Sequence, residues 1–151
     1  MTQAGEAFVV DASVAAKWHL RCEDNAEKAL QLLDDLTLGT TVLFAPQLIR
    51  YEVSAAIANA ARGPSPRMQP AVARRAIEAF LAVDVRTRED DDLLLDAQTI
   101  VQRHGCAFSD ALYLALAERL SLPVLTADER FLRSVRGHPL VTWLGDYSSP
   151  G

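Results

Sequence analysis

Four acidic residues stand where side chains could hold a metal ion. Asp11 ends the apolar run Phe8-Val9-Val10, and Asp128 follows Pro123-Val124-Leu125-Thr126. Asp110 opens a helical pattern directly after Ser109, and Glu52 lies inside an otherwise apolar helical stretch. In an α/β sheet, strand ends and helix starts along one edge meet at a crevice where ligands bind. Carboxylates gathered there repel one another unless a cation holds them, and a hard divalent ion such as Mg²⁺ takes oxygen ligands of this kind. The pattern points to a metal-dependent enzyme acting on phosphates.

Each acid also has a plainer explanation. An Asp between a strand and a helix is a common turn and cap residue, which covers Asp11 and Asp128. Asp110 could simply complement a helix dipole. Glu52 falls about 60° from the centre of the apolar stripe Val53, Ala56 and Ala60, where it could reach solvent at the rim. A carboxylate left unpaired at the edge of a buried face costs several kcal/mol, so it needs a cation, an arginine or water. What favours a site is the combination: three separate strand or helix junctions each place a carboxylate on the same side of the sheet.

The elements that must position these acids follow from periodicity. Ala7–Val10, Val42–Ala45, Ala82–Val85, Pro123–Thr126 and Leu140–Trp143 read as short strands. Helices are expected over Ser13–His19, with Ser13 near its cap, and over Glu23–Leu36, with Ala26, Ala29, Leu30 and Leu33 on one stripe. Pro46 suits the first turn of a helix that runs to Arg62 and is broken by Gly63-Pro64-Ser65-Pro66. Further helices are expected over Gln69–Leu81, from Leu93 to a stop at Gly105, over Ser109–Leu120 and over Asp128–Val135. The acidic run Glu89-Asp90-Asp91-Asp92 suits a helix start, where negative charge is favourable, and is not assigned to the metal site. This β–α alternation predicts a mainly parallel sheet with helices on both faces. One domain over residues 1–147 is expected, with a flexible tail at 148–151.

Composition narrows the function. With 151 residues, half of them hydrophobic, the chain suits one packed domain rather than a disordered one. No apolar run is long enough to cross a bilayer, and Met1–Glu6 shows no secretory pattern. Cys22 and Cys106 are far apart and not spaced as a metal pair, so a reducing compartment, the cytoplasm, is expected. The net charge of −5 speaks against a protein that coats nucleic acid, although an acidic site can coexist with a basic rim. The cations are 13 Arg against 2 Lys; Arg forms a bidentate fork on phosphate, but biased codon usage is the readier explanation of the ratio.

At this point the residues carry a resemblance. Asp11-Ala12-Ser13-Val14 with Lys17-Trp18 resembles the first motif of the PIN domain family, in particular its VapC-type toxins. Pro46-x-Leu48-x-x-Tyr51-Glu52-Val53 is similar to the second motif, Ser109-Asp110-Ala111-Leu112-Tyr113-Leu114-Ala115 to the third, and Leu125-Thr126-Ala127-Asp128-Glu129-Arg130-Phe131 to the fourth. The resemblance implies a small three-layer α/β/α ribonuclease with Mg²⁺, or Mn²⁺, in an acidic pocket. It further implies a cognate antitoxin and a homodimer, with RNA as substrate and no membrane partner. By motif position Asp11, Glu52, Asp110 and Asp128 match the catalytic and metal-binding quartet, and Ser13 and Thr126 match its supporting hydroxyls. Arg21-Cys22-Glu23 departs from the acidic turn often seen in the family, and the segment Gly63–Pro70 is proline-rich.

On that reading, Asp11 and Asp110 are the closest metal ligands, and Glu52 and Asp128 act directly or through water. An activated water attacks the phosphodiester in line. Arg62, Arg67, Arg74 and Arg75 form a candidate RNA-binding cluster. His19, His104 and His138 have no spacing that suggests ligation, and Trp18 and Trp143 read as core or interface residues. A phosphoacceptor domain is the poorer match, because no Lys follows Lys28. The remaining alternative is a PIN-like module that binds RNA or protein without toxin activity.

Overall fold

A computed structural model describes residues 5–150. Met1–Ala4, part of the expected N-terminal segment, and Gly151 of the expected tail lie outside the described residues. Five strands, β1 (Glu6–Val10), β2 (Thr41–Pro46), β3 (Val85–Arg88), β4 (Val124–Thr126) and β5 (Val141–Trp143), form one sheet in the order β3-β2-β1-β4-β5. Every pairing is parallel. Helices cover both faces, giving the three-layer α/β/α architecture that the alternation predicts. The chain builds outward from β1 through β2 to β3, then returns to place β4 on the other side of β1. The topological switch point therefore falls between β1 and β4, where open α/β sheets bind ligands.

The helices are α1 (Ala12–Ala15), α2 (Ala26–Leu38), α3 (Ile49–Ala60), α4 (Pro70–Leu81), α5 (Asp91–His104), α6 (Phe108–Leu120) and α7 (Glu129–Ser134). The central one is α6, which packs across β1, β2 and β4. Ala111 to Ala117 are buried without interruption, so this helix is apolar all round, as a helix inside the core must be. It carries Asp110 in its first turn. Glycines with positive φ end α2 at Gly39 and α5 at Gly105. The acidic run after β3 does start a helix: Asp90 caps α5 by accepting from Leu93 N at 2.8 Å.

Three local expectations are corrected. Pro46 is the last residue of β2 rather than a helix residue, and α3 begins at Ile49. Its missing donor is harmless at the strand end, where Gln47 N takes over the bond to Arg88 O at 2.8 Å. The third strand is Val85–Arg88, not Ala82–Val85. Ala82 and Val83 close the end of α4 through bonds to Ala79 O and Phe80 O. The strand itself lies at the sheet edge, where a polar, cationic sequence is acceptable, and Arg86 and Arg88 lie over the Phe44 ring. Ser13 lies inside α1, and Asp11 is the residue at the helix start. Beyond β5, Tyr147 OH and Ser149 Oγ both donate to the buried Asp35, Ser149 at 2.7 Å, which ties the C-terminal segment to α2.

Candidate active site

The four acids arise from four different elements. Asp11 is the first residue after β1, Asp128 lies two residues after β4, Glu52 is in the first turn of α3, and Asp110 is in the first turn of α6. Backbone pairing fixes the centre, because Asp11 N donates to Leu125 O at 3.0 Å and so locks the end of β1 to β4. Glu52, Asp110 and Asp128 line one cleft of about 280 Å³ together with Arg130, Cys106 and Ser109. Asp11 sits beneath them, only 4% exposed.

Two hydroxyls hold Asp11 in place. Thr126 Oγ1 donates to Asp11 Oδ2 at 2.9 Å, and Ser13 Oγ donates to the same oxygen. Each hydroxyl also accepts from the loop after β4: Ala127 N donates to Ser13 Oγ at 2.9 Å, and Asp128 N donates to Thr126 Oγ1 at 3.0 Å. Ser13 and Thr126 thus fasten the Asp128 loop to the Asp11 carboxylate. Asp128 Oδ1 accepts from Arg130 N and Phe131 N, capping α7. Glu52 Oε1 accepts from the phenol of Tyr113 at 2.7 Å. Asp11, Asp128 and Glu52 each commit one oxygen to the protein. Among the described residues, their other oxygens and both oxygens of Asp110 have no side-chain or backbone donor.

The acids feel one another. Burial pushes the Asp110 carboxyl up to about 7, with the charges of Asp11, Asp128 and Glu52 adding to it and Arg130 opposing it. Burial likewise raises Asp11 to about 6, against the hydroxyl bonds from Ser13 and Thr126, with Glu52 and Asp128 raising it further. Glu52 is raised by burial and lowered by the Tyr113 bond. Groups perturbed by desolvation and by specific like-charge neighbours in a cleft mark functional sites. The donors are all hard oxygens, the chemistry that Mg²⁺ or Mn²⁺ takes. Among the described residues, no three acid, His or Cys side chains close on one point.

The other sequence-read residues lie elsewhere. Arg62, Arg67, Arg74 and Arg75 are exposed in the α3–α4 loop and on α4, and none lines the cleft. Arg67 reaches Glu23 at 3.5 Å, and Arg74 pairs with Glu78 at 3.4 Å. His104 packs edge-on to His138, which contacts Glu118 at 3.0 Å, and His19 packs on Phe80. Trp18 is core, whereas Trp143 is half-exposed and lines a second cavity. Sequence reasoning missed Tyr113 and Arg130. Tyr113 lies three residues after Asp110, hence on nearly the same helical face, and that spacing is the one signal that could have found it.

Residues 8–136 match the PIN domain. The chain belongs to the PIN domain family. PIN domains are generally nucleases that act on RNA with divalent metal ions, which agrees with a cleft built from carboxylate oxygens. The crystal structure of PAE2754 from Pyrobaculum aerophilum has a similar fold, with a TM-score of 0.66, covering 95% of this chain and 93% of that one. At 22% identity the likeness concerns the fold alone. Among curated proteins, none matches the chain. No helix among the described residues is long and apolar enough to cross a membrane.

Proposed function

We propose that this PIN domain is a Mg²⁺-dependent endoribonuclease, the toxin of a type II toxin–antitoxin pair, which cleaves RNA phosphodiester bonds. The observation that supports it most is the convergence of Asp11, Glu52, Asp110 and Asp128 at the β1–β4 switch point, with Glu52, Asp110 and Asp128 lining one cleft and the charges of all four acting on one another. Asp11 and Asp110 are the closest ligands on this reading, and Glu52 and Asp128 complete the shell directly or through water. Mn²⁺ would occupy the same donors. When bound, the ion supplies Lewis acidity toward the phosphate and charge stabilisation in an in-line displacement.

The chain's own residues do the rest. Ser13 and Thr126 fix which Asp11 oxygen is committed and which is free. Tyr113 holds Glu52 at the cleft wall. Burial makes the Asp11 and Asp110 carboxyls readier to hold a proton than a free aspartate, so a bound cation would compete with those protons. Arg130 is the positive group at the cleft and is placed to meet a phosphate. Exposed Tyr51, Leu94 and Leu95 supply apolar surface of the kind that a protein partner covers, which supports assembly as a homodimer or with an antitoxin.

The test is RNA cleavage by purified protein in Mg²⁺, with and without EDTA, alongside the Asp11→Asn variant. Cleavage that needs the metal and Asp11 supports the reading. Metal-independent cleavage, or RNA binding with no cleavage in either Mg²⁺ or Mn²⁺, would leave a binding module instead. A short adjacent reading frame whose product co-purifies with the chain and stops cleavage would support the toxin assignment.

A further inference from the structure

A second cavity, of about 490 Å³, opens beside the acid cleft, separated from it by Ala127 and Asp128. It lies at the same carboxyl edge of the sheet. Trp143, at the end of β5, pairs in register with Thr126, the residue that holds Asp11. The cavity wall facing the cleft is Ala127, whose N–H bonds Ser13.

Its lining suits a nucleobase better than a phosphate. The buried Lys17 is already paired with Glu23 at 3.1 Å, Arg67 also reaches Glu23 at 3.5 Å, Arg133 reaches Glu129 at 3.9 Å, and Asp24 has no cation among the described residues. A phosphate would meet the unpaired Asp24 and no unpaired cation in the lining. A neutral base would meet the Trp143 side chain and two polar groups with no side-chain hydrogen bond among the described residues: the Asp24 carboxylate and the Asn25 amide. Asn25 and Trp143 come together at Gly145. A Cβ there would lie 2.6 Å from Trp143 Nε1 and 3.8 Å from Asn25 Oδ1, so only glycine lets the indole lie this close to the backbone. Asn25 itself holds a left-handed conformation with φ 61, which Asn tolerates better than most residues.

We propose that this cavity is a nucleobase subsite that seats an RNA base next to the cleaved linkage and selects bases whose pairing edge sets an amino group beside a ring-nitrogen acceptor, adenine or cytosine, over uracil. Trp143 supplies the stacking surface, which is tolerant of base identity. Asp24 accepts from the amino group, and the Asn25 amide pairs with the amino group and the adjacent ring nitrogen, as Asn and carboxylates do on adenine and cytosine edges. Uracil offers a carbonyl where the amino group would be, facing the Asp24 carboxylate. The inference deepens the nuclease reading and rests on it for the linkage that is cut.

The experiment reads base binding without turnover. Hexaribonucleotides of adenosine, cytidine and uridine are titrated in Ca²⁺ while indole fluorescence is followed, with Trp143→Phe identifying the signal. The adenosine and cytidine oligomers should quench at about tenfold lower concentration than the uridine oligomer, within the range one well-formed base contact gives. Asp24→Ala combined with Asn25→Ala should bring all three curves together with folding preserved by thermal melting. Gly145→Ala, which displaces the indole, should weaken all three. Equal curves for the wild-type protein, or an unchanged preference in the double variant, overturn the subsite. Selective quenching by a protein that cleaves nothing in Mg²⁺ keeps the subsite and removes the nuclease reading. Mg²⁺-dependent cleavage without selective quenching does the reverse.

Discussion

The phenol of Tyr113 donates a 2.7 Å hydrogen bond to Glu52 Oε1 and so ties the middle of α6 to the first turn of α3. Tyr113 is fully buried, and burial holds its hydroxyl far above its ordinary pKa, so it remains a donor at every working pH. Two of the four acids are therefore governed from one helix: α6 carries Asp110 itself and fixes Glu52 through Tyr113. The other two are governed from β4, where Thr126 holds Asp11 and the following turn presents Asp128.

Tyr113→Phe should leave the fold intact and loosen Glu52. The loss of one bond to a half-buried carboxylate should cost about 1–2 kcal/mol of stability. Tyr113 acts through Glu52, so metal affinity or cleavage should fall by roughly 10–100-fold, the usual cost of losing an outer partner of a ligand. The Glu52 carboxyl should also rise further, shifting the pH profile of cleavage upward. Equal pH profiles for the two proteins would return Tyr113 to an ordinary core role.

Asp11 and Asp110 bind protons more readily in the folded protein than in the unfolded chain. Their contribution to stability is complete below the usual carboxylate pKa of 3.8 and is lost as pH rises through about 6 and about 7. The metal-free protein should therefore melt at a higher temperature at pH 5 than at pH 8. The Asp11 share is on the order of 3 kcal/mol at most. Mg²⁺ should raise the melting temperature more at pH 8 than at pH 5, because binding must displace those protons. Thermal melting across this range, with and without Mg²⁺, checks both signs; melting that is flat with pH would mean that burial and the neighbouring charges do not raise these carboxyls.

Asp11→Asn and Asp110→Asn should each end cleavage while sparing the fold. An Asn at position 11 still offers Ser13 and Thr126 an amide oxygen, and it removes one repelling charge from the cleft. The loss of rate should exceed the roughly 10–100-fold that follows loss of an outer partner. Without metal, both variants should melt at or above the wild-type temperature near pH 8. Wild-type turnover by either variant would sink the assignment.

The acids legible in the sequence are those set by junction geometry. Asp11 and Asp128 follow strands whose apolar runs can be read directly, and Asp110 opens a helix whose inward face is continuous. What the sequence hid is what long-range packing decides. Tyr113 meets Glu52 across 61 positions of chain, and no local period announces such a pair. The β3 boundary is hidden for a related reason: Ala82-Val83 is apolar because it closes α4 against the core, whereas the edge strand proper, Val85-Arg86-Thr87-Arg88, alternates with charge. The type of Trp143 suits core or interface alike, and its place at the end of an edge strand decides against the core by leaving it half-exposed along a polar cavity.

A protein inhibitor should work by placing a cation in the cleft. Guanidinium is drawn to the carboxylates for the same reason as Mg²⁺, and Arg forms a fork that matches a carboxylate pair. Partner binding and Mg²⁺ should then compete. A Mg²⁺ titration of the co-purified complex should release the partner, and Asp110→Asn should weaken the complex. Affinity independent of both would place inhibition away from the acids.

The last expectation concerns the arginines outside the cleft. An acidic cleft repels an RNA backbone, so positive surface elsewhere must hold the strand while one linkage is engaged. Arg62 and Arg67 flank the α3–α4 loop, Arg67 reaches toward the second cavity through Glu23, and Arg74 and Arg75 project from α4. Neither the i,i+4 pair of Arg74 with Glu78 nor the Arg67–Glu23 pair is buried, and such exposed pairs exchange easily for phosphate. Each contact to single-stranded RNA adds roughly 0.7 to the salt slope of binding. The double variant Arg74→Ala, Arg75→Ala should therefore lower that slope by up to about 1.4. Arg130→Ala should lower it by a single contact and also raise the Asp110 carboxyl further, since Arg130 is the cation opposing that rise. Binding over a salt series in Ca²⁺ measures the slopes. An unchanged slope in the double variant would make Arg74 and Arg75 ordinary helix surface and leave Arg130 as the phosphate contact at the cleft.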